Sequence, residues 1–300
     1  MIIGFLGKGG SGKTTLATLY TKYLLDKSNF EDCFTNNKVL ALDNDHNMDF
    51  KYNLGYEGDM SWMGTSLSEI FEEVAITSTK EVAEVEADHI FSLNPKDKVT
   101  QKYTVDLADN LSLMVAGPHT SEMLYGNMCS HGLTTPLKVY LPLLKLNDGE
   151  YVIVDEKAGT DGVGTGVTTG FNAVLVVAEA TPHGVKSAKQ IIDMLRFYKT
   201  PYAVAINKIR NEKDKNKYDA EFFTEFNSNL GQVENNLEKN NLILHFNFDA
   251  DAFDLKLSDN DKSEFKKFFA WAKKLDDNRK ERTKEKIQRQ KDFNASKSNN

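Results

Sequence analysis

The chain has 300 residues, of which 40% are hydrophobic and 27% charged, and its formal net charge is −7. This composition excludes a disordered chain, and 19 glycines with 6 prolines exclude a collagen-like repeat. No apolar run reaches the length of a membrane-spanning helix, no secretory signal is visible, and 2 cysteines are too few for a disulfide scaffold. We therefore expect a cytoplasmic protein.

Short apolar runs recur along the chain, and amphipathic stretches of helical length separate most of them. Most runs are continuous rather than alternating, which is typical of strands buried on both faces of a sheet. The alternation predicts an α/β fold, a mostly parallel sheet of about seven strands flanked by helices on both faces. The predicted strands are 2–6, 39–42, 111–116, 151–154, 173–178, 202–206 and 242–246, and the predicted helices are 13–27, 135–146, 183–198, 220–229 and 259–275.

Two stretches depart from this alternation. Residues 55–109 are polar and acidic, with one weak strand pattern at 89–93, and we predict a partly helical insertion within a domain that spans 1–278. Residues 279–300 hold only Ile287 and Phe293 as large apolar side chains, which predicts a frayed helix followed by a disordered tail. Twelve Lys and Arg against five Asp and Glu make residues 262–291 basic. This basic segment is either a last helix with a solvated tail or a contact for DNA or an anionic membrane.

A glycine-rich segment joins the first predicted strand to the first predicted helix. It reads GKGGSGKTT over residues 7–15 and fits the phosphate-loop pattern G-x-x-x-x-G-K-[ST] in the strand–loop–helix context that this loop requires. Glycines let backbone N–H groups surround a phosphate, and the helix N-terminus adds partial positive charge. Lys13 is expected to reach the β- and γ-phosphates of a nucleotide and the Thr14 hydroxyl to ligate Mg²⁺. The predicted phosphate-binding residues are Gly7, Gly9, Gly10, Ser11, Gly12, Lys13, Thr14 and Thr15.

Carboxylates end two of the predicted strands downstream of this loop. Asp43 and Asp45 follow the second strand, and Asp155 follows the apolar run at 151–154. Each of them alone is an ordinary turn residue at a strand end. Together with the loop upstream, they predict a Mg²⁺ site in which Asp155 acts as the Walker B residue.

The lysine at the second position of the loop, Lys8, resembles the deviant Walker A loop of the ParA/MinD/nitrogenase iron protein group of P-loop ATPases. That resemblance implies an ATP-dependent homodimer in which Lys8 reaches the phosphates held by the neighbouring subunit, acting in trans as an arginine finger does. The alternative for Lys8 is a solvated loop lysine. The resemblance also implies that Asp45 orients the attacking water, with Asp43 and Asp49 near the Mg²⁺ shell.

Four further residues take their expected roles from the same resemblance. Gly159 offers its N–H to the γ-phosphate, and Asn207, followed by Lys208, reads the adenine edge. Asp249 matches, without the usual proline, the segment that closes the base pocket. For Asn207 the alternative is a turn residue at a strand end.

One branch of the group is favoured by the run Asp155-Glu156-Lys157-Ala158-Gly159. It resembles the D-x-E-A-G loop of the nickel-insertion accessory ATPases of carbon monoxide dehydrogenase, which implies a metalloenzyme as the protein client. Those ATPases carry a Cys-x-Cys pair, and here Asn127 and Cys129 stand at the two positions. Cys129 and His131 from two subunits would make a Cys₂His₂ site, and the alternative is a buried thiol beside a helix start.

Three functions remain open at this point. The first is an accessory or maturation ATPase for a metalloenzyme, with slow turnover in the absence of its partner. The second is a ParA/MinD-like partition or positioning ATPase that acts on DNA or a membrane. The third is a nucleotide-dependent scaffold that binds ATP with Mg²⁺ and barely hydrolyses it.

Overall fold

The computed structural model describes residues 1–30, 36–86, 90–126, 129–228, 242–248, 252 and 254–298. Ten strands are present in this part of the chain. In chain order they are β1 (Ile2–Gly7), β2 (Lys38–Asp43), β3 (Phe91–Ser92), β4 (Thr104–Ala108), β5 (Leu111–Val115), β6 (Leu144–Lys145), β7 (Glu150–Asp155), β8 (Ala173–Glu179), β9 (Tyr202–Ile209) and β10 (Ile243–Asn247).

The described α-helices, numbered in chain order, alternate with these strands. They are α1 (Lys13–Leu25), α2 (Asp49–Asn53), α3 (Leu67–Val74), α4 (Lys98–Lys102), α5 (Ser121–Leu124), α6 (Leu137–Tyr140), α7 (Asp161–Gly164), α8 (Pro182–Phe197), α9 (Glu212–Ser228), α10 (Asp259–Ala272) and α11 (Arg279–Ser298). Short 3₁₀ turns lie at Lys27–Asn29, Met63–Thr65, Thr79–Glu84, Ser130–Thr134 and Val167–Gly170.

Eight strands form one sheet in the order β10-β9-β8-β1-β7-β2-β5-β4. All neighbouring pairs are parallel except β4 and β5, which are antiparallel. The predicted mostly parallel sheet is therefore confirmed. The eighth strand, β4, lies at the edge and within the predicted insertion. Its side chains are only partly buried or exposed, so it lacks the apolar run by which the other strands were recognised.

The sheet has a hydrophobic core on each face. Successive residues of β1 point to opposite sides, so that Ile3 and Phe5 pack in one core while Ile2 and Leu6 pack in the other. Helices α1 and α10 cover the first face, where Tyr20 contacts the rings of aromatic residues from α10. Helix α8, α11 and much of the segment 63–103 cover the second face. Helices on both faces are confirmed.

The predicted helix at 135–146 is wrong in its length. The structure forms only the four-residue helix α6, followed by turns and then by β6. Pro142 explains this early end, because it lacks the backbone N–H that would continue the helical hydrogen bonds.

The C-terminal segment corrects the predicted disordered tail. Residues 279–298 form the single helix α11, and its buried positions recur at helical spacing on one side: Arg279, Arg282, Thr283 and Ile287. The guanidinium of Arg279 donates to the carbonyls of Leu141 (3.0 Å) and Leu144 (3.3 Å), and that of Arg282 donates to the carbonyl of Phe171. A composition-based prediction counts arginine as a solvent-facing residue and therefore misses this packing.

Candidate functional site

The phosphate-loop segment connects β1 directly to α1, as predicted. Gly10 and Gly12 have φ values of 79° and 93°, in the left-handed region that favours glycine. A Cβ atom on Gly12 would collide with the side-chain amide of Asn207, so this position also needs glycine for space. The first N–H groups of α1 have no partner within the helix and lie at the end of the loop. The segment therefore has the backbone conformation of an anion-binding loop.

Lys13 is buried and forms the centre of the site. Its ammonium group contacts Asp45 Oδ2 at 3.0 Å and Asp155 Oδ1 at 3.4 Å. Burial works against the charged form of Lys13, but the Asp155 and Asp45 carboxylates outweigh it and raise the pKa of Lys13. Lys13 therefore carries its charge at neutral pH.

Thr14 and Asp155 provide oxygen ligands beside this lysine. The Thr14 hydroxyl donates to Asp155 Oδ2 at 2.7 Å, and Asp155 is fully buried. Burial raises the pKa of Asp155 to about 6, although Lys13 opposes the shift. One hydroxyl and one carboxylate match Mg²⁺, which completes its shell with water and substrate phosphates rather than with a cage of side chains. The residues present therefore fit a Mg²⁺ ion.

The carboxylates of Asp43 and Asp45 differ in their surroundings. Asp43 is buried and accepts hydrogen bonds from the backbone N–H groups of Lys51 (2.9 Å) and Asp45 (3.2 Å). Burial, and then the nearby Asp155 charge, raise the pKa of Asp43 well above its usual value. Asp43 thus shapes the turn after β2, whereas Asp45 faces Lys13. Asp49 is exposed in the first turn of α2.

The segment after β7 contacts both the loop and the turn after β2. The N–H of Gly159 donates to the Gly7 carbonyl at 2.8 Å, so this glycine lies at the loop but uses its donor on the protein. Asn44 Nδ2 donates to Glu156 Oε2 at 2.9 Å, and both residues are fully buried. Burial raises the pKa of Glu156 to about 8, with Asn44 opposing the shift. No role was predicted for this pair, and a contact across 112 positions leaves no local signal in the sequence.

Asn207 and Lys208 hold the other side of the loop. Asn207 Nδ2 donates to the Ser11 carbonyl at 2.8 Å, and Lys208 Nζ donates to the Gly10 carbonyl at 2.6 Å. Both residues line a recess of about 180 Å³ whose apolar wall includes Phe246 and Phe248. The recess adjoins the start of α1. Asp249, the predicted closing residue, lies outside the described residues.

Lys8 lies apart from this cluster. It is exposed, and its side chain forms no hydrogen bond or ion pair with any residue that the structure describes. Its backbone carbonyl accepts from the N–H of Ser11 at 3.0 Å, which fixes the turn while the ammonium group faces solvent.

Cys129 and His131 are both exposed, which corrects the alternative of a buried thiol. The thiol of Cys129 lies 3.0 Å from His131 Nδ1. Across the described ranges, no group of three or more His, Cys, Asp or Glu side chains could hold a metal ion. Asn127 lies outside these ranges. One chain therefore offers two ligands at this place.

The mostly parallel sheet flanked by helices is an α/β fold that solved structures share. Among solved structures, the fold is similar to a plasmid partition protein of Borrelia burgdorferi bound to AMPPNP, with a TM-score of 0.52, 17% identity, and coverage of 90% of this chain and 97% of that one. A Cyanothece McdA variant in complex with ATP gives a TM-score of 0.50 at 14% identity, with coverage of 96% and 94%.

Curated relatives by sequence include three uncharacterised ATP-binding proteins of Methanocaldococcus jannaschii. One is 26% identical over 216 residues, which are 71% of this chain and 80% of the relative. A second is 28% identical over 214 residues, which are 71% and 76% of the two chains. No protein-family model matches the chain. In the described part of the chain, no helix combines the length and apolar character that crossing a bilayer requires.

Proposed function

We propose that the protein is a Mg²⁺-dependent ATPase that dimerises around ATP and works as a molecular switch. The observation that carries this proposal is the cluster of Lys13, Thr14, Asp45 and Asp155 at the end of the phosphate loop, with contacts of 2.7 to 3.4 Å. ATP as the nucleotide is supported by the ATP-binding relatives.

These contacts support a role for each residue. Backbone N–H groups of the loop would hold the β-phosphate, and Lys13 would exchange its two carboxylate partners for phosphate oxygens. That exchange releases Asp45, whose carboxylate then accepts a hydrogen bond from the attacking water. Thr14 would hold Mg²⁺ directly and Asp155 through a water molecule. The bound ion supplies positive charge beside the transferring phosphoryl group.

The experiment compares the wild type with Lys13→Ala and Asp45→Ala, with exposed Lys145→Ala as the control. ATP binding is measured by calorimetry and hydrolysis by phosphate release. We expect Lys13→Ala to lose ATP affinity, and Asp45→Ala to retain ATP while losing phosphate release. Equal release rates in Asp45→Ala and the wild type would remove the catalytic role of Asp45. Retention of ATP without release by the wild type would instead indicate a scaffold.

The accessory role for a metalloenzyme rests on the run from Asp155 to Gly159 and on the Cys129–His131 pair. Two exposed ligands 3.0 Å apart could join those of a second subunit into a four-ligand site for a soft divalent ion. Metal analysis of the ATP-bound dimer tests this, with Cys129→Ala as the matched variant. A metal content that does not change in Cys129→Ala counts against the site.

A partition or positioning ATPase is the second candidate, and the fold shared with the Borrelia partition protein favours it. The geometry of α11 reduces the support from the basic segment, because Arg279 and Arg282 are buried against backbone carbonyls. Co-sedimentation with DNA in the presence of ATP is the test. Binding that weakens steeply with salt would support this candidate.

A further inference from the structure

A cavity of about 760 Å³ lies beside α11, away from the phosphate loop. Its walls come from α6, the end of α7, the C-terminal end of α8 and residues 286–293 of α11. The volume falls within the range of small-molecule pockets. Nothing proposed above uses it.

Three cationic side chains line this cavity: Lys138, Lys286 and Arg289. The side chain of Lys138 forms no hydrogen bond or ion pair with any described residue. Lys286 Nζ donates to the Gly166 carbonyl at 3.0 Å, a neutral acceptor. Burial lowers the pKa of Lys138, and burial together with the charge of Lys138 lowers that of Lys286 to about 8.

No acidic side chain lines the cavity in the described part of the chain. Glu285 lies nearby but is already paired with Lys199 at 2.9 Å and with Arg289 at 3.4 Å. Partly buried charges in proteins are normally compensated by a partner of opposite sign. The two lysines therefore lack the counter-charge that their surroundings call for.

The remaining wall is aromatic. Phe197, Tyr198 and Phe293 line the cavity, and Phe197 and Phe293 are exposed by 60% and 58%. The Arg289 guanidinium lies 5.3 Å from the centre of the Phe197 ring and donates to the Phe197 carbonyl at 2.6 Å. Exposed rings beside uncompensated cations form a surface with one apolar and one positive part.

We propose that this cavity binds a small organic anion, a carboxylate, sulfonate or phosphate ester with an apolar ring or chain. The anionic group lies between Lys138 and Lys286, and the apolar body packs on Phe197, Tyr198 and Phe293. The site is independent of the proposed ATPase activity, because none of its lining residues belongs to the phosphate loop.

The probe for this site is naphthalene-2-sulfonate, titrated by calorimetry into the wild type, Lys138→Met and Lys286→Met. Lys284→Met is the matched control, since Lys284 is on the same helix but does not line the cavity. We expect saturable binding that falls about tenfold or more in either cavity variant, as the loss of a charged hydrogen-bond partner predicts, and that is unchanged in the control. Circular dichroism checks that each variant is folded, and Lys138→Met carries the test if Lys286→Met does not fold.

Two further arms make the assignment specific. Neutral 2-naphthalenemethanol and inorganic phosphate should each bind more weakly than the sulfonate, because each lacks one half of the recognised group. The titration repeated in Lys13→Ala should give the wild-type affinity, which excludes binding at the phosphate loop. Absence of saturable binding, an equal affinity in Lys138→Met, or an equal affinity for the neutral alcohol would overturn the proposal. ATP binding measured on the same samples reports separately on the nucleotide site.

Discussion

At the scale of single residues, the site contains a buried polar pair, Asn44 and Glu156, joined by one hydrogen bond. Glu156 Oε1 and Asn44 Oδ1 are both buried without a hydrogen-bond partner in the described structure. Because the pKa of Glu156 is raised to about 8, its carboxyl holds a proton at neutral pH and can both donate and accept. This pair joins the turn that carries Asp45 to the strand end that carries Asp155.

We predict that Glu156→Gln preserves the hydrogen bond from Asn44 and that Glu156→Ala removes it. The amide of glutamine keeps an oxygen that accepts from Asn44 and is uncharged, like the protonated carboxyl, so the free energy of unfolding should change by less than about 1 kcal/mol. Alanine leaves the Asn44 amide without its acceptor and should lower the free energy of unfolding by about 1–3 kcal/mol. Urea unfolding at pH 7 measures both values. A Glu156→Gln variant as unstable as Glu156→Ala would show that the ionised carboxylate is required.

The residues of the loop were predictable because their spacing is local. The order Gly7 to Thr15, with a strand before it and a helix after it, locates Lys13 and Thr14 without any tertiary information. The contacts of Asn44 with Glu156 and of Lys208 with Gly10 were not predictable, since they join positions 112 and 198 residues apart. Only the fold brings such residues together.

At the scale of elements, the predictions were again correct where the sequence pattern was local and wrong where the structure depends on remote contacts or partial burial. All seven predicted strands exist, because continuous apolar runs mark strands buried on both faces. Strand β4 was missed because one of its faces is open to solvent. The full length and the packing of helix α11 were missed because its buried side consists largely of arginine and threonine, and the arginines donate to carbonyls of remote segments.

Helix α11 leads to a prediction on its two large apolar residues. Ile287 is buried, with 5% exposure, whereas Phe293 is 58% exposed six residues later. Ile287→Ala should lower the free energy of unfolding by about 2 kcal/mol or more, since it leaves a cavity in the core beneath α11. Phe293→Ala serves as the control and should change it by less than about 0.5 kcal/mol. Chemical denaturation measures both, and equal stability of Ile287→Ala and the wild type would contradict the docked helix.

A second prediction on α11 concerns pH. The pKa of Lys286 is lowered to about 8, mainly by burial, from an ordinary value of 10.5. Between these two values the unfolded chain keeps the proton that the folded chain has lost, so the contribution of Lys286 to stability rises with pH over that range. We expect the wild type to gain stability relative to Lys286→Met when urea unfolding is compared at pH 7.5 and 9.5, in buffer free of phosphate and sulfate. Lys284→Met should follow the wild type.

At the scale of the whole molecule, charge determines how two copies could meet. The chain is acidic, with a net charge of −7, and the partly exposed carboxylate of Asp45 lies beside the proposed phosphate position. Two such surfaces repel each other unless cations lie between them. Lys8 is exposed in the loop, and in the dimer proposed above its ammonium group would provide such a cation.

We therefore predict that Lys8→Ala binds nucleotide but does not dimerise. The wild type should change from monomer to dimer on addition of AMPPNP with Mg²⁺, as measured by light scattering coupled to size-exclusion chromatography. Lys8→Ala should stay monomeric while calorimetry shows retained AMPPNP binding, because its own loop still contains Lys13. Lys27→Ala, an exposed lysine beyond the far end of α1, is the control and should dimerise normally. A wild type that remains monomeric when saturated with AMPPNP would remove the role of Lys8 in trans, while leaving the nucleotide site itself intact.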